Sequence, residues 1–319
     1  MTDGKSVLIS GVAGFIGSHV ARRFLAEGYQ VVGVDDLSGG HLPNVPDGVD
    51  LITADLAQPA TTARLPPGCR TIVHLAGQSS GEISFDDPIA DLQKNTLSTV
   101  NLIRYGIENQ AERIVYASSM SVYGEVPDEP IPEGWDPRPL SCYGVGKLAS
   151  EGYLRVYQRQ LPFVVMRMFN VYGPGQDLRN LRQGMVSIFV AQALSSGRIE
   201  VKGNTNRFRD LIHVDDVAEA WWRAARNPEA RNHVFNIGTG RRTTVGELLT
   251  LICERVPGAE YFVRGSTPGD QTGIYADITK LRTLLGLTQF VGVAEGLSGF
   301  IDWARGALTA SIPPDRTPL

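Results

Sequence analysis

The sequence predicts an α/β protein with a doubly wound parallel sheet and a smaller mixed α/β domain towards the C-terminus. Three observations lead to this prediction. Short apolar segments alternate with helical patterns from residue 7 to residue 168, and glycines at GxxGxxG spacing follow the first of them. Beyond residue 168 the alternation weakens. We therefore expect one domain over 1–168, with 210–240 returning to it. The second domain is expected over 169–209 and 241–319.

Composition narrows the class of protein. The 319 residues can bury a large core, and 30 Lys and Arg against 34 Asp and Glu lack the basic excess of a nucleic-acid surface. No apolar run approaches the ~20 residues of a membrane span, and the first strand begins too early for a signal peptide. Three separated cysteines and five histidines without ligand spacing predict neither disulfides nor a metal site. A cytoplasmic location is expected.

The first βα unit carries the clearest signal. Residues 7–9 form an apolar run typical of a buried parallel strand. Gly11 then permits a sharp turn, Gly14 lets a pyrophosphate approach the backbone, and Gly17 lets the following helix pack on the strand. That helix is expected to begin near Phe15 and to direct its free N–H groups at the pyrophosphate. A dinucleotide site is therefore predicted here.

The second strand indicates which dinucleotide is bound. Gly28 ends the first helix, and the apolar residues 31–34 lead into Asp35. An acidic residue about 20 positions after the glycines can bind the adenosine ribose hydroxyls and would repel a 2′-phosphate. NAD is therefore expected rather than NADP.

The next two strands also end in polar residues. A strand over 49–53 leads to Asp55, for which a bond to the adenine amino group and a helix cap are equally good interpretations. A strand over 71–75 contains His74, which we expect to be a packed structural histidine rather than a catalytic one.

Two long helices are predicted before residue 168. One covers 86–110 and carries Asn95, whose buried amide must find partners and can hold a strand end beside the cofactor. The other covers 140–160, after a strand over 113–117. The two helices are expected to pair with those of a second subunit in a four-helix interface.

The remaining elements are less regular. Strands are expected over 163–168, 199–202 and 234–237. Helices are expected over 180–197, 243–255 and 278–285, with another running through Trp222. The Pro-rich tail, 312–319, is expected to fray.

Tyr143 and Lys147 are the candidate reactive pair. At i and i+4 of a helix the two side chains share one face. A free phenol has a pKa of about 10, and a neighbouring ammonium is expected to lower the Tyr143 pKa. Tyr143 could then take a hydroxyl proton while a hydride leaves the same carbon. Ser119 could bond that hydroxyl, although such pairs and such serines are also common on ordinary helices and turns.

Motifs in a fixed order extend this interpretation over nearly the whole chain. They are GVAGFIGS from Gly11, VDDLSGG at Asp35, ADL at Asp55, HLAG from His74, ASSMSVYG at Ser118, YGVGK from Tyr143, FNVYGPG at Asn170, RFRDLIHVDDV at Arg209 and PGD ending at Asp270. This series closely resembles the extended short-chain dehydrogenase/reductases, specifically the NAD-dependent nucleotide-sugar epimerase/dehydratase type, whose first domain is a Rossmann fold.

The resemblance implies a role for each matching residue. Ser119, Tyr143 and Lys147 would be the catalytic triad. Asn170 and Arg209 would hold the diphosphate of the substrate. Asp270 would meet the nucleotide ribose, and Ser79 would face the sugar. The residues implied to contact NAD are Gly11, Gly14, Phe15, Ile16, Gly17, Asp35, Asp36, Asp55, Leu56, Leu75, Ala76, Asn95, Ser118, Tyr143 and Lys147.

Some positions depart from the commoner residues of that family. Met120 and Ser121 stand where 4,6-dehydratases carry Asp and Glu, which favours 4-epimerisation of a UDP-hexose over dehydration. A dehydratase, a 4-ketosugar reductase and a non-catalytic NAD-binding regulator remain the alternatives. Cys142, Gly146 and Thr267 also replace commoner residues, and either packing or chemistry can explain them.

The identity of the sugar stays open. Ile274 stands where a bulkier aromatic residue is common in 4-epimerases, which leaves room for an N-acetyl group. Arg179 and Arg182 could meet a hexuronate carboxylate, although solvated surface charges are the better expectation.

Overall fold

The structure is a computed structural model that describes residues 5–265 and 272–310. The strands of this part of the chain are β1 (Ser6–Ser10), β2 (Gln30–Asp35), β3 (Val49–Thr53), β4 (Thr71–His74), β5 (Arg113–Ser119), β6 (Phe163–Met168), β7 (Asn170–Tyr172), β8 (Arg198–Val201), β9 (Phe208–Arg209), β10 (Leu211–His213), β11 (His233–Ile237), β12 (Thr243–Thr244), β13 (Glu260–Val263) and β14 (Gly273–Ile274). The helices are α1 (Phe15–Ala26), α2 (Pro88–Leu92), α3 (Ser98–Glu108), α4 (Cys142–Tyr157), α5 (Met185–Ser196), α6 (Val214–Arg226), α7 (Val245–Arg255), α8 (Thr279–Leu284) and α9 (Val293–Ala310). The Pro-rich tail lies outside the described residues.

The main sheet is parallel and has seven strands in the order β11-β6-β5-β4-β1-β2-β3. The chain winds outward from β1 in both directions, so the strand order reverses between β1 and β4. A ligand crevice is expected at such a reversal, at the carboxyl ends of the strands. The predicted doubly wound fold is confirmed.

Both faces of this sheet are buried. Along β1, Val7 and Ile9 belong to a core with α1 and α6, whereas Leu8 belongs to a core with α3 and α4. Alternate residues of a strand point to opposite faces, so an unbroken apolar run is what a sheet covered on both sides requires. This explains why the apolar segments of the sequence identified the strands so well.

A separate core lies in the C-terminal part of the chain. Apolar side chains of α5, α7 and α9 pack there with residues of β8. The helix α9 was not predicted, because three glycines interrupt its apolar pattern. One of them, Gly296, is required by close packing, since a Cβ there would lie 2.5 Å from the Tyr172 hydroxyl oxygen. In the described ranges, no helix has both the length and the hydrophobicity to cross a bilayer.

The helix predicted over 86–110 is broken by a π-helical turn at Gln93–Leu97, between α2 and α3. The hydroxyls of Thr99 and Ser150 both donate to the Asn95 carbonyl, at 2.7 and 3.1 Å. Competing donors of this kind disturb the regular ladder, and π turns are frequent at functional sites. The turn places Asn95 beside the crevice.

Candidate active site

A cleft of about 640 Å³ opens at the carboxyl ends of the central strands. Its walls come from the glycine turn after β1, from the ends of β2 and β4, and from α4. The predicted cofactor residues that line it are Gly11, Gly14, Phe15, Ile16, Gly17, Asp35, Asp36, Asp55, Leu56, Leu75, Ala76, Tyr143 and Lys147. Two others, Asn95 and Ser118, are buried beside it.

The glycine turn fits a pyrophosphate. Gly11 has φ +72°, and a Cβ on it would lie 2.7 Å from the Ala76 backbone nitrogen. A Cβ on Gly17 would overlap the carbonyl oxygen of Gly11. Larger residues would therefore push the strand and the helix apart. With glycines there, the first N–H groups of α1 face the cleft, where they favour an anion.

Asp35 is held at the end of β2 by the same turn. Its carboxylate accepts hydrogen bonds from Ala13 N at 2.9 Å and from Leu37 N at 2.8 Å. Burial raises the Asp35 pKa, and these two hydrogen bonds oppose the rise. Asp55 accepts from Ala57 N at 2.9 Å in a local turn and lines the cleft, but the next helical turn begins after Gln58, so Asp55 is not a helix cap.

The candidate reactive pair lies on the first turns of α4. Ser141 caps this helix by accepting a hydrogen bond from Gly144 N at 3.1 Å. Tyr143 and Lys147 are both buried, and the Lys147 Nζ lies 5.5 Å from the centre of the Tyr143 ring. Ser119, at the end of β5, caps the next turn by accepting from Ser121 N at 3.1 Å. Its own hydroxyl donates to Ser121 Oγ at 3.1 Å, and it lies close enough to Tyr143 to act on the pKa of that phenol. The structure therefore brings the three predicted catalytic residues together.

The predicted lowering of the Tyr143 pKa is wrong for the protein chain alone. Burial raises the pKa of Tyr143 to about 12, the nearby Ser119 hydroxyl opposes this rise, and the negative charge of Asp91 adds to it. Burial also lowers the Lys147 pKa to about 8, against the pull of Asp91. Desolvation disfavours both charged forms and is the largest cause in each case. The phenol therefore stays neutral until more positive charge enters the cleft.

Two neighbouring polar residues have mainly structural partners. His74 is fully buried between the hydroxyls of Ser10 and Thr99, and burial lowers its pKa to about 3, so it is the packed neutral histidine that we predicted. Ser118 donates to Glu151 Oε1 at 2.6 Å, so its hydroxyl is bonded within the core rather than in the cleft.

The predicted substrate residues are more dispersed. Ser79 lines the cleft and accepts a hydrogen bond from Gln183 Nε2 at 2.7 Å. Asn170 lies with its Nδ2 3.5 Å from the Met120 sulfur, and Arg209 donates to the Phe208 carbonyl at 2.7 Å. Neither side chain belongs to the described part of the cleft wall. Asp270 and Thr267 lie outside the described residues.

Residues 175–183 form a cleft wall of which the sequence indicated only the arginines. They contribute Gln176 and Gln183, amides whose only signal was their place in a polar loop after FNVYGPG. Arg179 lines the cleft and pairs with Asp177 at 3.3 Å. Arg182 is a half-exposed surface charge, as expected, and it pairs there with Glu82 at 2.9 Å and with Asp86 at 2.7 Å.

Comparison with known proteins identifies the family. The model of the NAD dependent epimerase/dehydratase family matches residues 7–238. The chain belongs to this family. It is 37% identical to the UDP-glucose 4-epimerase of Mycolicibacterium smegmatis over 312 residues, which cover 93% of this chain and 98% of that protein. The extended short-chain dehydrogenase/reductase resemblance is therefore confirmed.

Solved structures of this family are also similar. The crystal structure of UDP-glucose 4-epimerase with UDP-glucose from Thermotoga maritima is 33% identical, with a TM-score of 0.90, and covers 95% of this chain and 99% of that one. The Thermus thermophilus UDP-glucose 4-epimerase complex with NAD is 35% identical, with a TM-score of 0.86 and the same coverage. NAD is the cofactor, as predicted.

Gly17 provides a direct test of the cofactor turn in this epimerase/dehydratase. We expect Gly17→Ala to cost about 1–3 kcal/mol of folding free energy, because the added methyl overlaps Gly11, and to weaken NAD binding at least tenfold. Gly152→Ala is the matched control, since a Cβ on that α4 residue meets no atom within 4 Å. Thermal unfolding and calorimetric NAD titration check both variants. Equal behaviour of the two would refute this role for Gly17.

Proposed function

We propose that the protein catalyses reversible C4 epimerisation of a UDP-hexose of the glucose/galactose type, including N-acetylated and hexuronate forms, through a transient 4-keto sugar. The observation that carries this proposal is the buried set of Ser119, Tyr143 and Lys147 at the cleft that fits NAD. When bound, NAD accepts a hydride from a sugar carbon and returns it.

Residues of the chain then transfer the proton and orient the sugar. Tyr143 takes the proton of the 4-hydroxyl and later returns it to the ketone oxygen. Ser119 holds the same oxygen by a hydrogen bond, and Lys147 supplies positive charge that favours the phenolate. Asn170 and Arg209 are proposed to anchor the diphosphate while the keto sugar turns over, and Asp270 to bind the nucleotide ribose.

The absence of carboxylates directly after β5 supports epimerisation over dehydration. Met120 and Ser121 follow Ser119 in the turn beside Tyr143, and neither side chain can act as an acid or base there. A dehydratase would need such groups to remove a hydroxyl. A 4-ketosugar reductase remains an alternative on this scaffold, and a non-catalytic NAD-binding regulator is a weaker one.

A single incubation distinguishes the proposed epimerase from the alternative functions. The purified protein is mixed, without added NAD, with UDP-glucose, UDP-galactose, their N-acetyl forms and UDP-glucuronate, and the products are resolved by NMR. We expect C4 epimers of at least one sugar. A stable keto-deoxy product would replace epimerisation with dehydration, and no product from any sugar would favour the regulator or the reductase, whose keto-sugar substrate is not in the panel.

We also propose the division into a cofactor domain, 1–168 with 210–240, and a substrate domain, 169–209 with 241–319. Two observations support it. The strand β11 pairs with β6 at the edge of the main sheet, and α5, α7 and α9 share a core of their own.

A homodimer through α2, α3 and α4 is the proposed assembly. Of these neighbouring helices, α2 and α4 expose large apolar side chains, which are Ile89, Leu92, Val145, Tyr153 and Val156, the last being 76% exposed. Such a patch on a surface helix pair is typical of an isologous interface, in which a second copy presents the same residues.

The dimer is tested by placing a charge in this patch. In the dimer, Val156→Glu would bury one carboxylate from each subunit. We therefore expect the dimer Kd to rise about 100-fold or more. Val263→Glu, at an exposed apolar residue on β13, is the matched control. Light scattering coupled to size exclusion measures the mass over a concentration series. A monomeric wild type, or dimers of unchanged affinity in Val156→Glu, would contradict the proposed interface.

A further inference from the structure

Asp91 is a buried carboxylate behind the cleft to which the proposed reaction gives no role. It lies on α2, is 2% exposed, and its Oδ1 accepts hydrogen bonds from Gln78 Nε2 at 2.9 Å and Asn95 Nδ2 at 3.0 Å. A buried charge is costly unless hydrogen bonds and an opposite charge compensate it. Two neutral amide donors compensate Asp91 only in part, so a nearby cation is expected.

Lys147 is the cation that acts on Asp91, through space and without a direct ion pair, and the packing of α4 on α2 buries the two residues in one region. The Asp91 Oδ2 lies 3.5 Å from where a Cβ on Gly146, the residue before Lys147, would sit. The Lys147 Nζ lies 3.4 Å from the position that a Cβ on Gly77 would occupy. The Asn95 Oδ1 lies next to the same position. Asn95 therefore links the carboxylate to the surroundings of the ammonium, and the two charges interact through space.

In the part of the chain that the structure describes, the other groups that face Lys147 supply no negative charge in the resting protein. The ammonium lies 5.5 Å from the centre of the Tyr143 ring and 5.2 Å from that of Tyr116 on β5. Burial keeps the pKa values of Tyr116 and Tyr143 far above neutrality, so both hydroxyls are uncharged. The two rings therefore attract the ammonium only through cation–π interactions with their faces. His74 on β4, also within electrostatic reach of Lys147, is neutral. Asp91 is the carboxylate whose charge acts on Lys147.

We propose that Asp91 is a positioning residue for the reaction, the counter-ion that keeps Lys147 charged beside a neutral Tyr143 in the resting site. This inference rests on the proposed function, because it assigns a role towards the proposed acid–base pair. The same carboxylate holds Gln78, a residue of the cleft wall, and Asn95, so one buried group fixes both the charge and the shape of this side of the site.

The electrostatic effects of Asp91 agree with this role. Burial lowers the Lys147 pKa to about 8, and Asp91 opposes that fall. The same negative charge raises the Tyr143 pKa. Removing the charge should therefore leave more of Lys147 neutral at physiological pH, and the phenolate that forms during the reaction would lose its nearest fixed positive charge.

Direct titration of Lys147 tests the proposal. The chain has five lysines, so lysine labelled with ¹³C at Cε gives few signals, and Lys147→Met assigns the one of interest. In the NAD-loaded protein, Asp91→Asn keeps the shape and the hydrogen-bonding capacity but removes the charge. We expect the midpoint of the Lys147 signal to fall by about one pH unit or more. Asp91→Ser is a second neutral variant, in case the first does not fold.

Two controls distinguish the effect of losing the Asp91 charge from the effect of a change in the fold. Glu108→Gln removes an exposed carboxylate from the same helical segment and should leave the midpoint within about 0.3 units of the wild type. Asp91→Glu keeps the charge and should restore most of the wild-type midpoint. A folded neutral variant that titrates like Glu108→Gln would overturn the proposal. Since the titration uses no substrate, it can fail while epimerase activity is present, and it can succeed if the substrate panel yields no product.

Discussion

Tyr143→Phe is expected to lower kcat by about 10³-fold while the protein stays folded and binds NAD. The phenol is the group proposed to move the 4-hydroxyl proton, and general acid–base groups typically contribute about 10²–10⁴-fold. Loss of one buried oxygen near Ser119 changes little else in the cleft. Turnover of the sugar found in the substrate panel and the NAD content of the purified variant are the two measurements.

A tyrosine on the same helix provides the control. Tyr153 lies on α4 but is 44% exposed, so Tyr153→Phe should leave kcat within about twofold. If Tyr143→Phe kept more than about a tenth of the wild-type kcat, Tyr143 would not be the acid–base residue. Loss of NAD together with turnover would instead show that the hydroxyl serves cofactor binding.

Glu151→Ala is expected to reduce the free energy of unfolding by about 3–5 kcal/mol. Glu151 on α4 and Arg167 on β6 are each 1% exposed and form a two-point ion pair, with Arg167 Nε–Glu151 Oε1 at 2.9 Å and Arg167 Nη2–Glu151 Oε2 at 2.7 Å. Ser118 donates to the same carboxylate. Removing the carboxylate leaves a guanidinium buried without its counter-charge, which is a larger loss than the net contribution of the pair. Urea unfolding measures the change.

Two further variants show whether charge burial is the cause. The surface pair of Asp136 and Arg138 is largely exposed, so Asp136→Ala should change stability by less than about 0.5 kcal/mol. Glu151→Leu combined with Arg167→Met replaces both charges with apolar side chains and should recover most of the lost stability. If Glu151→Ala unfolded no earlier than Asp136→Ala, the ion pair would have no structural importance.

Local patterns in the sequence predicted the elements that depend on local order. The strand, glycine turn and helix from Ser6 to Ala26 combine an apolar run with fixed glycine spacing, and both are visible without any tertiary contact. The helix α9 was missed, because its interior glycine Gly296 is explained by a distant partner, Tyr172. The π turn at Gln93–Leu97 was missed for a similar reason, since Ser150 from α4 helps to form it.

At the candidate site too, local sequence patterns predicted some features, whereas others depended on tertiary contacts. Motif spacing predicted that Tyr143 and Lys147 share a helix face, but the direction of the Tyr143 pKa depended on burial, which spacing does not reveal. Asp91 and Gln78 reach the site only through tertiary packing, so no motif pointed to them. The sequence therefore predicted which groups react better than it predicted their electrostatic environment.

The fate of the hydrogen on C4 tests the central claim most directly. The purified protein, with its own NAD and none added, is given the UDP-hexose that turns over, with deuterium at C4, and the epimer is examined by NMR and mass spectrometry. If the hydride leaves and returns within one site, the epimer keeps its deuterium at C4. An epimer carrying solvent hydrogen at C4 would contradict the account, because that carbon would then have exchanged a proton rather than a hydride.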